Sequence, residues 1–385
     1  MDGCSNNQGV NYATFRQDRR VPFKLSDLSN SIFSSLGVNR EDPLGLGESP
    51  HGRECIVLID GMGFQALAEF GQEFPIFSRF TELERMASHF PSTTVTNLSS
   101  LGTGELPGVH GMLGYTVRVP HSGTPGRLLN ALKWDERVDP VIWQSSKTNF
   151  ERARELGINV AQVAAKRYEG SGFTRAALRG ANYVGANQIS EMVDGAIAAL
   201  AKPPSFAYVY LNNLDHAGHE YGVGSEKWMT ALSIVADLLT KLSQRLPRGT
   251  RMWITADHGM VNVGESVILG VENDLMENIS LLGGEPRARH LYVKEDALTE
   301  TISQWREFFG DRVMILDKDE IKSGELFGAE VSPESHDRMG DFMAIPRDDL
   351  ILIDPLRIPQ ESSMVGHHGG LSEIEVDIPL LSTVL

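Results

Sequence analysis

Short apolar segments that end in aspartate, histidine and glycine constrain the fold of this 385-residue chain more than any other feature of its sequence. Three of them begin with residues typical of a buried strand. The segments are CIVLIDGMG with Asp60, YVYLNNLDHAGHEYG with Asp215 and His219, RMWITADHGM with Asp257 and His258, and VGHHGG with His368. Aspartate and histidine are ligands of zinc-like ions. The four segments are therefore predicted to meet in one metal site.

Apolar runs that alternate with helical patterns predict the fold class. ECIVLI, INVAQVA, FAYVYL and RMWITA are short and rich in β-branched or aromatic residues, and NFERARELG, ISEMVDGAIAALAK and KWMTALSIVADLLTKLSQRL between them have helical character. This alternation predicts an α/β fold with a mostly parallel, doubly wound sheet and helices on both faces. Since ligands bind at the carboxyl ends of such strands, we expect Asp60, Asp215 and Asp257 at the ends of neighbouring strands.

Two parts of the chain depart from this alternation. Residues 1–50 are polar apart from the amphipathic stretch LSDLSNSIFSSLGV, and they are predicted to form an N-terminal arm packed on the core. Residues 284–350 contain RARHLYVK, TETISQWREFFG and DRVMILDK, which predict a small α+β insertion. The catalytic domain is thus expected to span residues 51–385, with the insertion at about 284–350.

Composition excludes several classes of partner. The net charge of −16 argues against a nucleic-acid duplex, because duplex binding needs a basic face. The start, MDGCSNNQGV, lacks the basic and apolar regions of a secretion signal, and no run reaches the roughly 20 apolar residues that span a bilayer. We therefore expect a cytoplasmic protein with no membrane partner. The chain carries no signal of its oligomeric state, and Cys4 and Cys55 do not suggest a disulfide framework.

Spacing supports the metal hypothesis within two of the segments. Asp215 and His219 are four residues apart, so one helical turn places both side chains on the same face. Asp257 and His258 are adjacent, and the flexible backbone of Gly259 permits a turn that brings both into one site. Each segment taken alone also fits a capping aspartate or a surface histidine. Four such coincidences at strand ends or glycine-rich turns are a weaker explanation than one shared site.

A hydroxyl-rich segment supplies a candidate nucleophile. FPSTTVTNLSSLGTG places Ser92, Thr93, Thr94 and Thr96 at the start of a predicted helix. A helix N-terminus carries free N–H groups and partial positive charge, which suits a phosphate group. A metal-bound hydroxyl at that position ionises more easily and becomes a nucleophile. The alternative interpretation is an ordinary serine or threonine cap.

In their order along the chain, these segments resemble the alkaline phosphatase superfamily, and within it the nucleotide pyrophosphatase/phosphodiesterase branch, from about residue 54 to the end. In that family the nucleophile lies in the motif Pro-x-x-Thr-x-x-Asn. The match to Pro91-Ser92-Thr93-Thr94-Val95-Thr96-Asn97 implies that Thr94, and not Thr93, is the nucleophile. The resemblance also implies an alkaline-phosphatase-like fold and two divalent metal ions, with zinc favoured because imidazole and carboxylate ligands are mixed.

The resemblance divides the metal ligands into two sets. The first ion is assigned to Asp215, His219 and His368. The second ion is assigned to Asp60, Asp257, His258 and the oxygen of Thr94. His368 is preferred to His367 because the family motif Gly-x-His-Gly has the ligand in third place.

Substrate-binding residues are less clear from the sequence. Family members carry an asparagine that donates to a phosphate oxygen at the position of Tyr115, and a phenol can also donate one hydrogen bond. Asn97 and Lys166 are further substrate-binding candidates. The segment AAKRYEGSGFTRAALRG also contains Arg167, Arg175 and Arg179, which fit either a substrate site or a solvated surface.

The function expected from these features is a zinc-dependent phosphodiesterase or nucleotide pyrophosphatase. It would hydrolyse phosphodiester or phosphoanhydride bonds of a small phosphate ester, for which a nucleotide is one candidate, through a phospho-threonine intermediate. Two alternatives remain: a phosphomonoesterase or phosphonate hydrolase of the same superfamily, and a homologue that binds metal or ligand without catalysis. A sulfatase is disfavoured because the nucleophile segment lacks the Cys-x-Pro-x-Arg pattern.

Overall fold

A computed structural model describes residues 23–38, 40–82 and 85–385 of the chain. The first part of the predicted arm, residues 1–22 with Cys4, lies outside the described residues. The strands in chain order are β1 (Arg53–Ile59), β2 (Thr81–Glu82), β3 (Met86–Ala87), β4 (Thr116–Val119), β5 (Arg127–Asn130), β6 (Asn159–Ala164), β7 (Asn182–Gly185), β8 (Ser205–Leu211), β9 (Arg251–Thr255), β10 (Val261–Asn262), β11 (Glu265–Ile268), β12 (Ile279–Glu285), β13 (Ala288–Val293), β14 (Val313–Asp317), β15 (Phe342–Pro346), β16 (Leu350–Ile353), β17 (Gly366–His367), β18 (Asp377–Ile378) and β19 (Leu380–Val384).

Helices connect most of these strands. They are α1 (Leu25–Ser35), α2 (Phe64–Phe70), α3 (Thr94–Thr103), α4 (Pro107–His110), α5 (Pro140–Trp143), α6 (Asn149–Glu155), α7 (Gly172–Ala177), α8 (Ile189–Ala199), α9 (Asn213–Tyr221), α10 (Glu226–Arg245), α11 (Leu298–Phe309), α12 (Lys318–Ser323), α13 (Pro333–Arg338), α14 (Ile358–Glu361) and α15 (Glu373–Val376). Single 3₁₀ turns lie at Gly71–Glu73, Phe77–Arg79, Lys166–Tyr168 and Gly310–Arg312. Among the described residues, none of the helices has the length and apolar character needed to cross a bilayer.

The main sheet has seven strands in the order β2-β19-β9-β1-β8-β6-β7. Strands β9, β1, β8, β6 and β7 run parallel, and β19 is antiparallel to β9. This topology confirms the predicted mostly parallel α/β sheet. Because β1 lies between β8 and β9, Asp60, Asp215 and Asp257 follow three adjacent strands and meet at their carboxyl ends.

Both faces of the sheet are covered. Ile56 and Val57 of β1 are neighbours in sequence and point to opposite faces, yet both are fully buried. Tyr208 and Val209 of β8 show the same pattern. Helix α8 packs against β6 and β8, and α6 packs against β6. The continuous apolar sequences of β1 and β8 are therefore explained by burial on two sides.

A smaller antiparallel sheet forms in the region for which an insertion was predicted. Its strand order is β12-β13-β15-β14, and α11 packs against β14. It has a hydrophobic cluster of its own, which includes Leu291, Trp305, Phe309 and Phe342. The first strand, β12, ends at Glu285, which lines the cavity described below. The proposed domain limits at residue 51 and at 284–350 stay predictions.

Helix α1 occupies the amphipathic stretch of the predicted arm. Leu25, Leu28 and Ile32, on one side of the helix, are fully buried in the main core. Ser29 Oγ donates a hydrogen bond of 2.6 Å to the Leu101 carbonyl of α3. This part of the arm therefore packs against the helix that begins at Thr94.

Candidate active site

The ends of β1, β8 and β9 approach each other closely. Gly61 has a φ of 73°, and its N–H donates a 3.2 Å hydrogen bond to Asp257 Oδ1. A Cβ atom at Gly61 would lie 3.0 Å from the Asp215 Cα. Only glycine combines this left-handed conformation with so close an approach. The glycine after Asp60 thus allows the three aspartates to share one site.

Backbone carbonyls orient three of the histidines. The Nδ1 atom of His219 donates to the Gly366 carbonyl at 2.7 Å, that of His258 to the Gly259 carbonyl at 3.0 Å, and that of His368 to the Ser92 carbonyl at 2.9 Å. In the neutral form of each ring this leaves Nε2 without a hydrogen, so that it can act as a ligand. His367, which precedes His368 in the sequence, directs its Nε2 to the Glu361 carbonyl at 3.1 Å.

One ligand group consists of Asp60, Asp257 and His258, which are all buried. His258 Nε2 lies 3.4 Å from Asp60 Oδ1 and 3.6 Å from Asp257 Oδ2. These are the three side chains that the family resemblance assigns to one ion. The structure brings them together from β1 and from the segment after β9.

A second group forms around Asp215 on α9. Its Oδ1 lies 3.4 Å from His219 Nε2 and 3.7 Å from His368 Nε2. The atoms that lie within 4.8 Å of one another belong to Asp215, His368 and His258, and not to His219, which the resemblance assigns to this ion. The His258 and His368 rings are stacked with centroids 3.6 Å apart. The two groups are thus adjacent and share His258.

The donor set fits divalent cations. Asp215 Oδ1 and Asp257 Oδ2 are buried and have no hydrogen-bond partner among the described residues. Burial and the nearby charges of Asp257 and Asp215 raise the pKa of Asp60 well above its usual range. Burial and the neighbouring His258 and His219 rings lower the pKa of His368 well below its usual range. Cations would satisfy the unpaired oxygens and reduce the carboxylate repulsion, and mixed imidazole and carboxylate ligands suit zinc-like ions.

Thr94 is the hydroxyl residue of its segment that reaches the ligand groups. It is the first residue of α3, and its Oγ1 lies 3.5 Å from Asp60 Oδ1 and 3.2 Å from His258 Nε2. Ser92 Oγ instead donates to the Gly370 carbonyl, and Thr96 Oγ1 donates to the Met112 carbonyl. The geometry therefore separates Thr94 from Ser92 and Thr96, while Thr93 also lines the cavity beside Thr94.

Asn97 stabilises the loop before α3 and does not face the cavity, which corrects the substrate-binding role expected from the sequence. Its side chain is fully buried and does not line the cavity beside Thr94. Its Nδ2 donates to the carbonyls of His89, Pro91 and Thr93, and its Oδ1 accepts from the His89 N–H at 2.6 Å. These bonds hold the loop that leads into α3.

A cavity of about 760 Å³ opens over the ligand groups. Its lining includes Asp60, Thr94, Asp215, His219 and His368, together with Tyr115. Of the basic residues considered from the sequence, it includes Arg167, whose guanidinium donates to the hydroxyl of Tyr168 at 2.7 Å.

Three other basic residues lie away from this cavity. Lys166 is exposed, and its Nζ lies 3.7 Å from Glu191 Oε1, which corrects its predicted substrate-binding role. Arg179 pairs with Glu151 and donates to main-chain carbonyls. Arg175, on α7, does not line the cavity either.

Comparison with known proteins was made on the sequence and on the fold. The family model described as type I phosphodiesterase / nucleotide pyrophosphatase matches residues 55–371. The chain belongs to this family. The predicted family is thus confirmed, and with it the broad class of phosphoester hydrolases. Comparison with curated proteins gave no match.

Solved structures share the fold at low sequence identity. Murine ectonucleotide pyrophosphatase/phosphodiesterase 5, as an inactive threonine-to-alanine variant in complex with AMP, is 15% identical with a TM-score of 0.68, over 86% of this chain and 87% of that one. The human protein of the same name is 16% identical with a TM-score of 0.67 and the same coverages. Phosphonoacetate hydrolase from Sinorhizobium meliloti, in complex with phosphonoacetate, is 18% identical with a TM-score of 0.67, over 87% and 90%.

Sequence reasoning missed several residues of this phosphodiesterase-family site. Tyr210, on β8, donates a hydrogen bond from its hydroxyl to Asp60 Oδ2. Lys133 and Arg357 line the cavity from loops, and Glu285 lines it from the end of β12. Tyr210 continues the aromatic strand FAYVYL, where its alternation with Tyr208 gave no sign of a polar contact. Lys133, Arg357 and Glu285 belong to no recognisable motif.

A buried ion pair supports the His368 segment. Arg287 donates to Glu375 through Nε at 3.0 Å and through Nη2 at 2.7 Å, and both side chains are fully buried. Glu375 Oε1 also accepts from the Gly370 N–H at 2.8 Å, and the Glu375 carbonyl accepts from the Gly259 N–H at 2.8 Å. One residue thus connects the segments that carry His368 and His258.

Proposed function

We propose that this protein is a divalent-metal-dependent hydrolase of phosphodiester or phosphoanhydride bonds, with Thr94 as its nucleophile and two ions, zinc being favoured. The observation that carries this proposal is the position of Thr94 Oγ1, 3.2 Å from His258 Nε2 at the N-terminus of α3. The adjacent group around Asp215 provides a second set of ligand atoms. The substrate would be a small phosphate ester, and the net charge of −16 disfavours a nucleic-acid duplex.

The chain's own residues account for most of the reaction. Asp60, Asp257 and His258 would hold one ion, and Asp215, His219 and His368 the other; these ions would supply the positive charge that ionises the Thr94 hydroxyl and stabilises developing negative charge. Tyr210 orients the Asp60 carboxylate through its hydrogen bond. The Thr94 oxygen attacks phosphorus in line with the leaving oxygen, and water then hydrolyses the phospho-threonine. The helix α3 begins at Thr94, so its free N–H groups would face the transferred group.

The fold neighbours are consistent with a small phosphorus-containing substrate. The murine relative binds AMP and is inactive when one of its threonines is replaced by alanine. This supports, by analogy, both a nucleotide-like substrate and an essential threonine in the present chain.

Cationic groups at the cavity favour a second candidate function. Lys133, Arg167 and Arg357 all line it, and such groups would balance the two negative charges of a phosphate monoester or a phosphonate. The Sinorhizobium meliloti neighbour binds phosphonoacetate. A phosphomonoesterase or phosphonate hydrolase is therefore the second candidate.

A rate comparison tests the proposal. The zinc-loaded protein would be assayed with bis(p-nitrophenyl) phosphate, p-nitrophenyl phosphate and phosphonoacetate, alongside Thr94→Ala and the matched control Thr93→Ala. We expect the highest kcat/KM for the diester and its loss in Thr94→Ala only. A higher kcat/KM for the monoester or for phosphonoacetate would select the second candidate. If neither these three compounds nor a nucleoside triphosphate, which contains phosphoanhydride bonds, is hydrolysed, the chain is a homologue that binds metal or ligand without catalysis.

A further inference from the structure

Glu285 is a buried acidic residue in the cavity to which neither the metal groups nor the nucleophile give a role. It is the last residue of β12 and is only 6% exposed. Its Oε2 accepts a 3.0 Å hydrogen bond from the Tyr115 N–H. Its Oε1 has no partner in the part of the chain that the structure describes. An unpaired buried oxygen of this kind is costly and calls for a ligand or another explanation.

Two glycines make room for this carboxyl group. A Cβ atom on Gly369 would lie 2.7 Å from the Cγ and 3.2 Å from the Oε1 of Glu285. A Cβ atom on Gly114 would lie 3.2 Å from Oε2 and 3.7 Å from Oε1. Gly369 follows the metal-ligand candidate His368, and Gly114 precedes Tyr115. The carboxyl group therefore lies between the candidate metal site and the Tyr115 segment.

The nearby arginines do not neutralise Glu285. Arg287 is bonded to Glu375, and Arg289 donates to Glu361 and to the Leu352 carbonyl at 3.0 Å. Among the described residues Glu285 forms no ion pair, whereas Glu375 and Glu361 each pair with an arginine. Its position suits a group that meets its partner only when substrate is bound.

We propose that Glu285 is a substrate-binding residue of this site and donates a hydrogen bond from Oε1 to an oxygen of the substrate's phosphoryl or phosphonyl group. The inference rests on the proposed function, since it assigns a residue to the same cavity. The family resemblance places Tyr115 where a phosphate-binding asparagine is expected, and Glu285 accepts a hydrogen bond from the backbone of that residue. The chain would thus supply a donor from a different element.

The charge state agrees with a donor. Burial raises the pKa of Glu285 to about 8, although the Tyr115 N–H and Arg289 act in the opposite direction. At neutral pH the group is then mostly protonated. Because Oε2 already accepts from Tyr115, the proton belongs on Oε1, the oxygen without a partner. A neutral acid can donate to an anionic oxygen, whereas a carboxylate would repel it.

Three substitutions separate this role from others. Glu285→Gln keeps a donor of the same size, Glu285→Leu removes it, and Glu285→Asp withdraws the acid by one methylene. Each variant would be measured for kcat/KM with the best substrate, for the Kd of inorganic phosphate, for zinc content and for Tm. We expect the Gln variant within about threefold of wild type, and the Leu and Asp variants about ten- to a hundredfold weaker in both kcat/KM and phosphate binding, at unchanged zinc content.

Several outcomes would overturn the proposal. Wild-type phosphate affinity in Glu285→Leu, or in Glu285→Asp if the Leu variant does not fold, would show that Glu285 makes no substrate contact. An equal loss in the Gln and Leu variants would indicate proton transfer instead of a donated hydrogen bond. Loss of zinc or of Tm in step with activity would make Glu285 a structural brace for Tyr115. If the wild type hydrolyses no substrate, the proposed function is wrong. The phosphate affinities of the Glu285 variants would still test whether Glu285 contacts the phosphate.

Discussion

Breaking the Arg287–Glu375 pair should destabilise the protein more than removing the pair altogether. The Glu375 carboxylate accepts from Arg287 Nε and Nη2, from the Gly370 N–H and from Ser372 Oγ at 2.6 Å, and the paired side chains are both fully buried. Arg287→Met leaves that carboxylate without its cation. Truncation of one partner of a buried pair costs about 3–5 kcal/mol, so we expect a loss of that size in the free energy of unfolding.

The double variant provides the decisive comparison. Arg287→Met with Glu375→Leu leaves no lone buried charge, so it should be less destabilised than Arg287→Met or Glu375→Leu alone. A double-mutant cycle from urea unfolding monitored by tryptophan fluorescence measures the coupling. Because Glu375 also holds Gly370, next but one to His368, variants without it should bind zinc more weakly. Single variants that each lose less than about 1 kcal/mol, with additive effects, would refute this reasoning, since isolated buried charges cost several times more.

The remaining predictions concern the cavity. Thr94→Ala should keep the fold and lose most turnover, and Thr93→Ala should have a milder effect on turnover. Phosphate trapped on the enzyme and mapped by mass spectrometry should lie on Thr94. Phosphate on Thr93 would show that the motif has been aligned one residue out of register. Chelation should abolish activity and lower Tm, because ions that bind only the folded state stabilise it; a fully active metal-free protein would contradict this. Arg167→Ala should lower kcat/KM for a monoester more than Lys166→Ala does, since Arg167 lines the cavity and Lys166 does not; equal effects would argue against the cationic contact.

The sheet and the ends of its strands were predictable because their signal is local. β1, β8 and β9 each contain a short apolar run, and each is followed by its aspartate within a few residues. A parallel sheet then brings those ends to one edge. The hydroxyl-rich start of α3 was predictable in the same way, because a helix start can be recognised from nearby residues, whereas the choice of Thr94 over Thr93 came from the family motif. These features do not depend on distant parts of the chain.

Residue roles that depend on side-chain direction were not predictable. Lys166 and Arg167 are neighbours in the 3₁₀ turn Lys166–Tyr168, where adjacent side chains point in different directions, and only Arg167 lines the cavity. Asn97 belongs to the nucleophile motif, yet its amide is fully used by the carbonyls of the preceding loop. In both cases the segment was identified from its residues, and the three-dimensional path of the chain decided where each side chain points.

Glu285 and the Arg287–Glu375 pair show a further limit of sequence reasoning. Glu285 and Arg287 lie at the turn between β12 and β13, but their partners are the Tyr115 N–H and Glu375 of the C-terminal segment. No spacing rule connects positions that are 170 and 88 residues apart. The smaller sheet was expected as an insertion, and the structure shows that its first hairpin reaches the cavity. A region that looks peripheral in the sequence therefore contributes a buried acid to the lining of the cavity. It also contributes Arg287 of the ion pair that holds the His368 segment. Substitutions in this region should therefore affect catalysis as well as stability.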